Sequence, residues 1–255
     1  VEVEQFVIAL VCLGGGAIVQ ATLGFGMGVV AIPLLVWGGF SLPAAIGALV
    51  PNVLFQTSLG CWRQRDSLPW SDVAPLTAIR YATLPVGVYT LEILAGRGQA
   101  ATRLVLGVGL VLVLVLQQIR PPKNAGPPSR AATVLAASSS GFLAGVIGMG
   151  GPTLVLWVMR QDWESRRQRS FLWLSFLLLM PIQILLMSWR FGQPWLEAML
   201  VGAAVVPFTL SLAWFAQSWA DRWSKQRLRL AMRLFLLFIA LRLIWQVSRP
   251  WTLFG

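Results

Sequence analysis

Two clusters of small residues carry the clearest chemical signal in the chain. Gly24-Phe25-Gly26-Met27-Gly28 opens an apolar stretch that runs to Pro33, and Gly148-Met149-Gly150-Gly151-Pro152-Thr153 repeats the theme 124 positions later (148 − 24 and 150 − 26). Glycines at this spacing interrupt a helix. An interruption inside a membrane strands backbone N–H and C=O groups, and this is tolerated only where protein or a water-filled cavity satisfies them. Pro152 suits the first turn of a helix that starts at the second cluster, and the free N–H groups of such a start attract anions without a buried cation. Gly28 onward offers a similar start. No Lys-Ser/Thr pair follows either cluster, so neither is a nucleotide loop.

Polar residues inside otherwise apolar runs add to the candidate site. Gln20 and Thr22 precede the first break, Ser138, Ser139 and Ser140 precede the second, and Asn52, Gln56 and Gln183 lie deeper in their runs. Arg80, Arg233 and Arg242 also fall within runs, where an arginine is a functional candidate by default. Arg80 is the best placed of the three for an anion. The substrate-binding set is therefore Gln20, Thr22, Gly24, Gly26, Gly28, Asn52, Arg80, Ser140, Gly148, Gly150, Gly151 and Thr153. The plainer alternatives are that small residues let neighbouring helices pack closely, that single polar side chains bond their own helix, and that an arginine near a run end snorkels.

The elements that must position these residues follow from composition. Of 255 residues 57% are apolar and 11% charged, with a mean hydropathy of +0.73, which is the profile of an all-α polytopic membrane protein. Apolar runs fall at about 5–23, 27–39, 42–61, 73–95, 103–119, 131–147, 151–160, 170–189, 196–218 and 229–247. Two of them, 27–39 and 151–160, are too short for an ordinary span, and each directly follows a glycine cluster. The 124-residue shift also pairs Arg103 with Arg227 and matches the spacing of the runs. We expect a first transmembrane repeat over 1–122, a Pro-rich linker over 123–130 and a second repeat over 131–255. Glu2 and Glu4 stand where a secretory signal would carry Lys or Arg, so the first run is read as a span.

Charge then sets the topology. If each interrupted pair of runs makes no net crossing and the N-terminus lies outside, thirteen Lys and Arg fall inside and only Arg97, Arg103, Arg190 and Arg249 outside. Counting each pair as one crossing gives 10 against 7, barely a bias. The first arrangement makes the halves inverted repeats, each with a Gly-broken short helix or re-entrant hairpin plus three full spans, as in many secondary transporters. Both termini then lie outside and the linker inside. Trp62, Trp70, Trp163, Trp189, Trp195, Trp219, Trp223 and Trp251 fall at or beyond run ends and read as interfacial anchors.

What is missing excludes much chemistry. The chain has no His, its Lys sit in polar loops and its nine acids lie at or near run ends, which argues against a metalloenzyme, a haem protein or a Ser–His or Ser–Lys hydrolase. Cys12 and Cys61 have no paired spacing, so neither a metal nor a disulfide is expected. No cofactor is implied, and the net charge of +11 is explained by short basic loops without invoking nucleic acid.

Gly24-Phe25-Gly26-Met27-Gly28 through Ile32-Pro33-Leu34-Leu35, with Gly141-Phe142-Leu143-Ala144-Gly145 through Gly148-Met149-Gly150-Gly151-Pro152, resembles the paired signatures of the TauE/SafE sulfite exporter family. The likeness covers the whole chain. It implies a bacterial inner-membrane permease with periplasmic termini, exporting sulfite, sulfonates or related sulfur anions. Where the first repeat has Phe25 and Gly28 the second has Met149 and Pro152, so the half-sites need not contribute equally. The expected partners are a small anion and the lipid bilayer, and a homodimer is left open. An anion channel and a non-transporting membrane scaffold or assembly factor are the competing readings.

Overall fold

The computed structural model describes residues 3–23, 26–118, 128–220, 237–239 and 241–242, and every longer element among them is an α-helix. Gly24, Phe25, most of the linker, Arg233, Trp223, Trp251 and most of the last apolar run lie outside the described residues.

Each half opens with an antiparallel hairpin. α1 (Val3–Leu23) has 21 residues, which at about 1.5 Å each nearly matches the hydrocarbon core, whereas α2 (Met27–Trp37) has 11 and reaches about half as far. A Cβ on Gly38 would fall 2.5 Å from the Ile8 side chain and one on Gly16 would fall 3.0 Å from that of Met27, so α2 returns along α1 to the end where α1 began. α6 (Arg130–Ile147) and α7 (Gly151–Val158) do the same, with Trp157 Nε1 donating to Thr133 Oγ1 at 2.9 Å across the hairpin base. Each pair begins and ends at the same end of the bundle.

Long helices follow each hairpin. In the first half these are α3 (Leu42–Arg63), α4 (Trp70–Gly96) and α5 (Gln99–Gln118). α3 starts cleanly because the Ser41 side chain accepts from Ala44 N at 3.3 Å and Pro43 fits the first turn. In the second half α8 (Ser165–Ala220) breaks at Gly192 (φ 60, ψ −141) into two arms, 165–191 and 193–220. The two apolar runs expected at 170–189 and 196–218 lie one in each arm. Adding 124 to the bounds of α1–α4 gives 127–147, 151–161, 166–187 and 194–220, close to the elements found in the second half.

Contacts sort the helix termini into two ends. At one, Arg167 Nη2 meets Asp72 Oδ2 at 2.8 Å and Ser170 donates to Gln64 Oε1. At the other, Arg190 meets Glu92 at 3.2 Å and the Arg242 guanidinium lies 5.4 Å from the Trp37 ring centroid. The α1–α2 base sits at the second of these ends and the α6–α7 base at the first. The hairpins therefore enter from opposite ends, and their tips meet.

Close helix contacts hold the bundle. α4 packs on α6, where a Cβ on Gly145 would fall 2.6 Å from Leu84 O, and α1 packs on α8. α3 crosses α8 at Gly202, whose Cα faces the Ala48 carbonyl. Asn52 locks this crossing: its amide donates to Gly202 O at 3.0 Å and to Ala48 O at 3.2 Å, and its carbonyl accepts from Thr209 Oγ1 at 2.6 Å. Leu112, Val115, Leu135, Leu185 and Leu200 point outward, as an exterior bathed in lipid requires.

The tryptophans divide. Trp62, Trp70 and Trp189 are exposed near helix ends, as expected of anchors, but Trp195 is 1% exposed and packs against Gly47 of α3. Its position at a run end was misleading because α3 covers it there.

Asn52→Ala removes two interhelical bonds from the α3–α8 crossing. It should cost about 1–3 kcal/mol, read as a lower thermal midpoint in detergent, and Thr209→Val should cost less because only one bond is lost. Wild-type midpoints for both would refute the clamp.

Candidate functional site

The two interruptions are built differently. Gly148 closes α6 in the left-handed region (φ 69), and the turn lets Gly148 N donate to Ala144 O at 3.2 Å and Met149 N to Leu143 O at 3.3 Å. A left-handed glycine thus satisfies the last carbonyls of the helix. Ser140 Oγ donates to Gly150 O at 2.6 Å, with Thr153 Oγ1 at 3.4 Å from the same oxygen. In the first half Gly26 itself is left-handed (φ 105) and accepts the first helical bond, Val30 N to Gly26 O at 3.2 Å.

Both short helices begin without a capping side chain. Among the described residues, the N–H groups of Met27, Gly28 and Val29 and those of Gly151 and Thr153 have no acceptor. Each helix start concentrates partial positive charge. The α2 start abuts the turn between α6 and α7, since a Cβ on Gly28 would lie 3.1 Å from Gly148 O, and both short-helix starts line one space. Between them is a cavity of about 70 Å³, counted as room for the centres of water-sized spheres. A single water needs about 10–15 Å³ by that measure, so the space suits a few waters or an anion of a few heavy atoms.

Among the described residues Arg80 is the one charged side chain that lines the cavity, and no carboxylate lines it. It sits ten residues into α4, about 15 Å along the helix and so near mid-depth. The side chain is fully buried. Nη1 donates to Ser175 O at 2.5 Å and the guanidinium lies 6.0 Å from the Phe176 ring centroid, while Nε and Nη2 have no partner among the described residues. Thr77 Oγ1, one turn earlier on α4, and Ser175 Oγ are buried without partners too. Leaving a charge half-paired in a low-dielectric interior costs several kcal/mol unless a counter-charge arrives.

Gln20, Gly26, Gly28, Arg80, Gly148, Gly150 and Gly151 all line this cavity. Ser140 and Thr153 stand behind it and hold the Gly150 carbonyl. Asn52 is elsewhere, spent on the α3–α8 crossing. An uncharged amide deep in an apolar run fits a helix clamp as well as a ligand site, and sequence could not separate the two. The Thr22 side chain and all of Gly24 lie outside the described residues. Gln183, absent from the candidate set, lines the cavity from α8 and donates to Ala144 O at 3.3 Å. Its burial in an apolar run was the available signal. Ser139 bonds its own helix at Leu135 O, and Arg242 lies at a bundle end.

Gln20 also faces a second cavity of about 110 Å³, lined by Gln56, Arg63, Arg169 and Trp173 near the end that carries the Arg167–Asp72 pair.

Comparison with known proteins places these features in context. Residues 8–243 match the family described as Sulfite exporter TauE/SafE. The chain is 25% identical over 182 residues, 71% of each chain, to a probable sulfite/organosulfonate exporter TauE of Cupriavidus necator. No solved structure matches it.

Because Arg80 is buried with unsatisfied donors, its removal should relieve strain in the empty protein. Arg80→Met should raise the thermal midpoint without anion by several degrees, about 1–4 kcal/mol, and abolish stabilisation by added sulfite. A lowered midpoint would make Arg80 a structural residue instead.

Proposed function

Since the chain belongs to the sulfite exporter TauE/SafE family, and so is a multi-pass membrane transporter and not an enzyme, we propose that it exports small sulfur oxyanions, sulfite or organosulfonates, by alternating access at the Arg80 cavity. The observation that carries this reading is the convergence of two uncapped helix starts and one half-paired arginine on a space with no acid. A sulfur oxyanion spreads its charge over three oxygens. Several N–H donors arriving from different directions suit it better than one fixed cation would. Sulfite and sulfonate enter from the family and its relative; the cavity's chemistry favours an anion of that size.

We read the bundle as two inverted repeats, 1–122 and 131–255, joined through 123–130 in the cytoplasm, with both termini in the periplasm of an inner-membrane protein. Hairpins entering from opposite ends and helix bounds that match at 124 residues support this. Inverted repeats are the usual source of a midplane site flanked by half-helices. The second cavity would give access from the cytoplasmic end in the state described, and the opposite state would open the other end. Rocking one repeat against the other would exchange these states.

Proteoliposomes loaded with labelled sulfite should show saturable counterflow with wild type. Flux should fall at least tenfold, more than about 1.4 kcal/mol, in Gly26→Val and Arg80→Met, the second of which is expected to keep its fold. Equal flux in all three removes the breaks from the mechanism, and flux that rises linearly with concentration replaces a carrier with a channel. Reporter fusions after Arg65 and Arg103 should land on opposite sides, the first in the cytoplasm.

A further inference from the structure

The second cavity is built, not incidental. α3 ends and the first arm of α8 begins beside it, and the bond from Ser170 to Gln64 ties these two termini together. That bond lies one residue from Arg63 and one from Arg169, so it holds both arginines on the same cavity. Trp173 forms a fixed wall because its ring lies flush against Gly60, where no side chain intervenes.

Charge in this region is unbalanced. Of the acids at this end, Asp72 pairs with Arg167 at 2.8 Å and the exposed Asp66 lies 3.8 Å from Arg65. Among the described residues neither Arg63 nor Arg169 has an ion-pair partner, and no carboxylate lines the cavity. Two guanidinium groups with apolar walls behind them focus a positive potential. Both are solvent-exposed, so they would hold an anion loosely and in a salt-dependent way. The way inward passes Gln20, whose side chain borders both cavities.

We propose that this cavity is a second anion site, a vestibule in which Arg63 and Arg169 collect small oxyanions and deliver them past Gln20 to Arg80. The proposal rests on the transport reading for its direction but not for its electrostatics. The vestibule raises the local concentration of substrate, and the deep site sets turnover. Losing the vestibule therefore acts on KM and leaves kcat nearly intact.

The test has two arms. In inside-out vesicles with equal salt on both sides, Arg63→Gln/Arg169→Gln should raise KM for labelled sulfite roughly three- to tenfold with kcat retained. Wild-type KM should climb as salt goes from about 0.01 M to about 1 M, over which the Debye length falls from about 30 Å to about 3 Å, and the double variant should lose that climb. Arg63→Lys/Arg169→Lys should restore both, and Arg97→Gln at the opposite end should change neither. An unchanged KM, or a raised KM with its salt dependence intact, overturns the vestibule. The second arm needs no transport: Leu210→Cys on this cavity, in a Cys12→Ala/Cys61→Ala background, is modified with anionic and cationic methanethiosulfonate reagents. The anionic reagent should react faster, and Arg63→Gln/Arg169→Gln should erase the preference. A preference that persists, or none at the outset, also overturns it. If wild type moves no sulfite while the reagent preference behaves as expected, the transport reading fails and the anion vestibule stands.

Discussion

Positive charge without a counter-charge is the condition around which this bundle is arranged. Two helix N-termini and the Arg80 guanidinium share one small cavity, and each disfavours the others in a low-dielectric interior. Folding can tolerate the arrangement only because the surrounding contacts are numerous and tight, as at the Asn52 clamp and the α4–α6 seam. An anion arriving in the cavity turns the mutual repulsion into attraction. On the proposed mechanism, binding energy is held ready in the empty protein, in donors already placed around the cavity.

Helix order and bounds match at a shift of 124 residues, yet the residues at matching positions of the site differ. Arg80 has Ala204 at the matching position, and Gln20 has Ala144. Among the described residues the left-handed glycines of the two breaks are Gly26, before α2, and Gly148, after α6; Gly24, which matches Gly148, lies outside them. One half thus supplies the cation, each supplies an amide, Gln20 and Gln183, and in the second the Gly150 carbonyl is held by Ser140. A polar side chain needed once need not be kept twice, because both halves project into the same space.

Much of this was legible from residue types. Glycines at short spacing in an apolar run, followed by abnormally short runs, point to interrupted helices because close packing alone does not shorten the run that follows. The charge count pointed to hairpins with no net crossing for an equally direct reason, since basic loops segregate only under that arrangement. Side-chain destination was less legible. Asn52 and Gln183 are alike in sequence, a lone amide among apolar neighbours, and only the packing of α8 decides that one clamps helices and the other borders the cavity. Trp195 was obscured in the same way, because a run end reads as an interface until another helix covers it.

The contact of Gly28 with the Gly148 carbonyl joins two segments that descend from separate halves. After a duplication each copy is ordinarily free to diverge. Here a methyl group gained at one tip would press on the backbone of the other, so an accepted change in either copy constrains the history of both. On the proposed duplication, the likeness of the two halves should persist longest at the point where they touch.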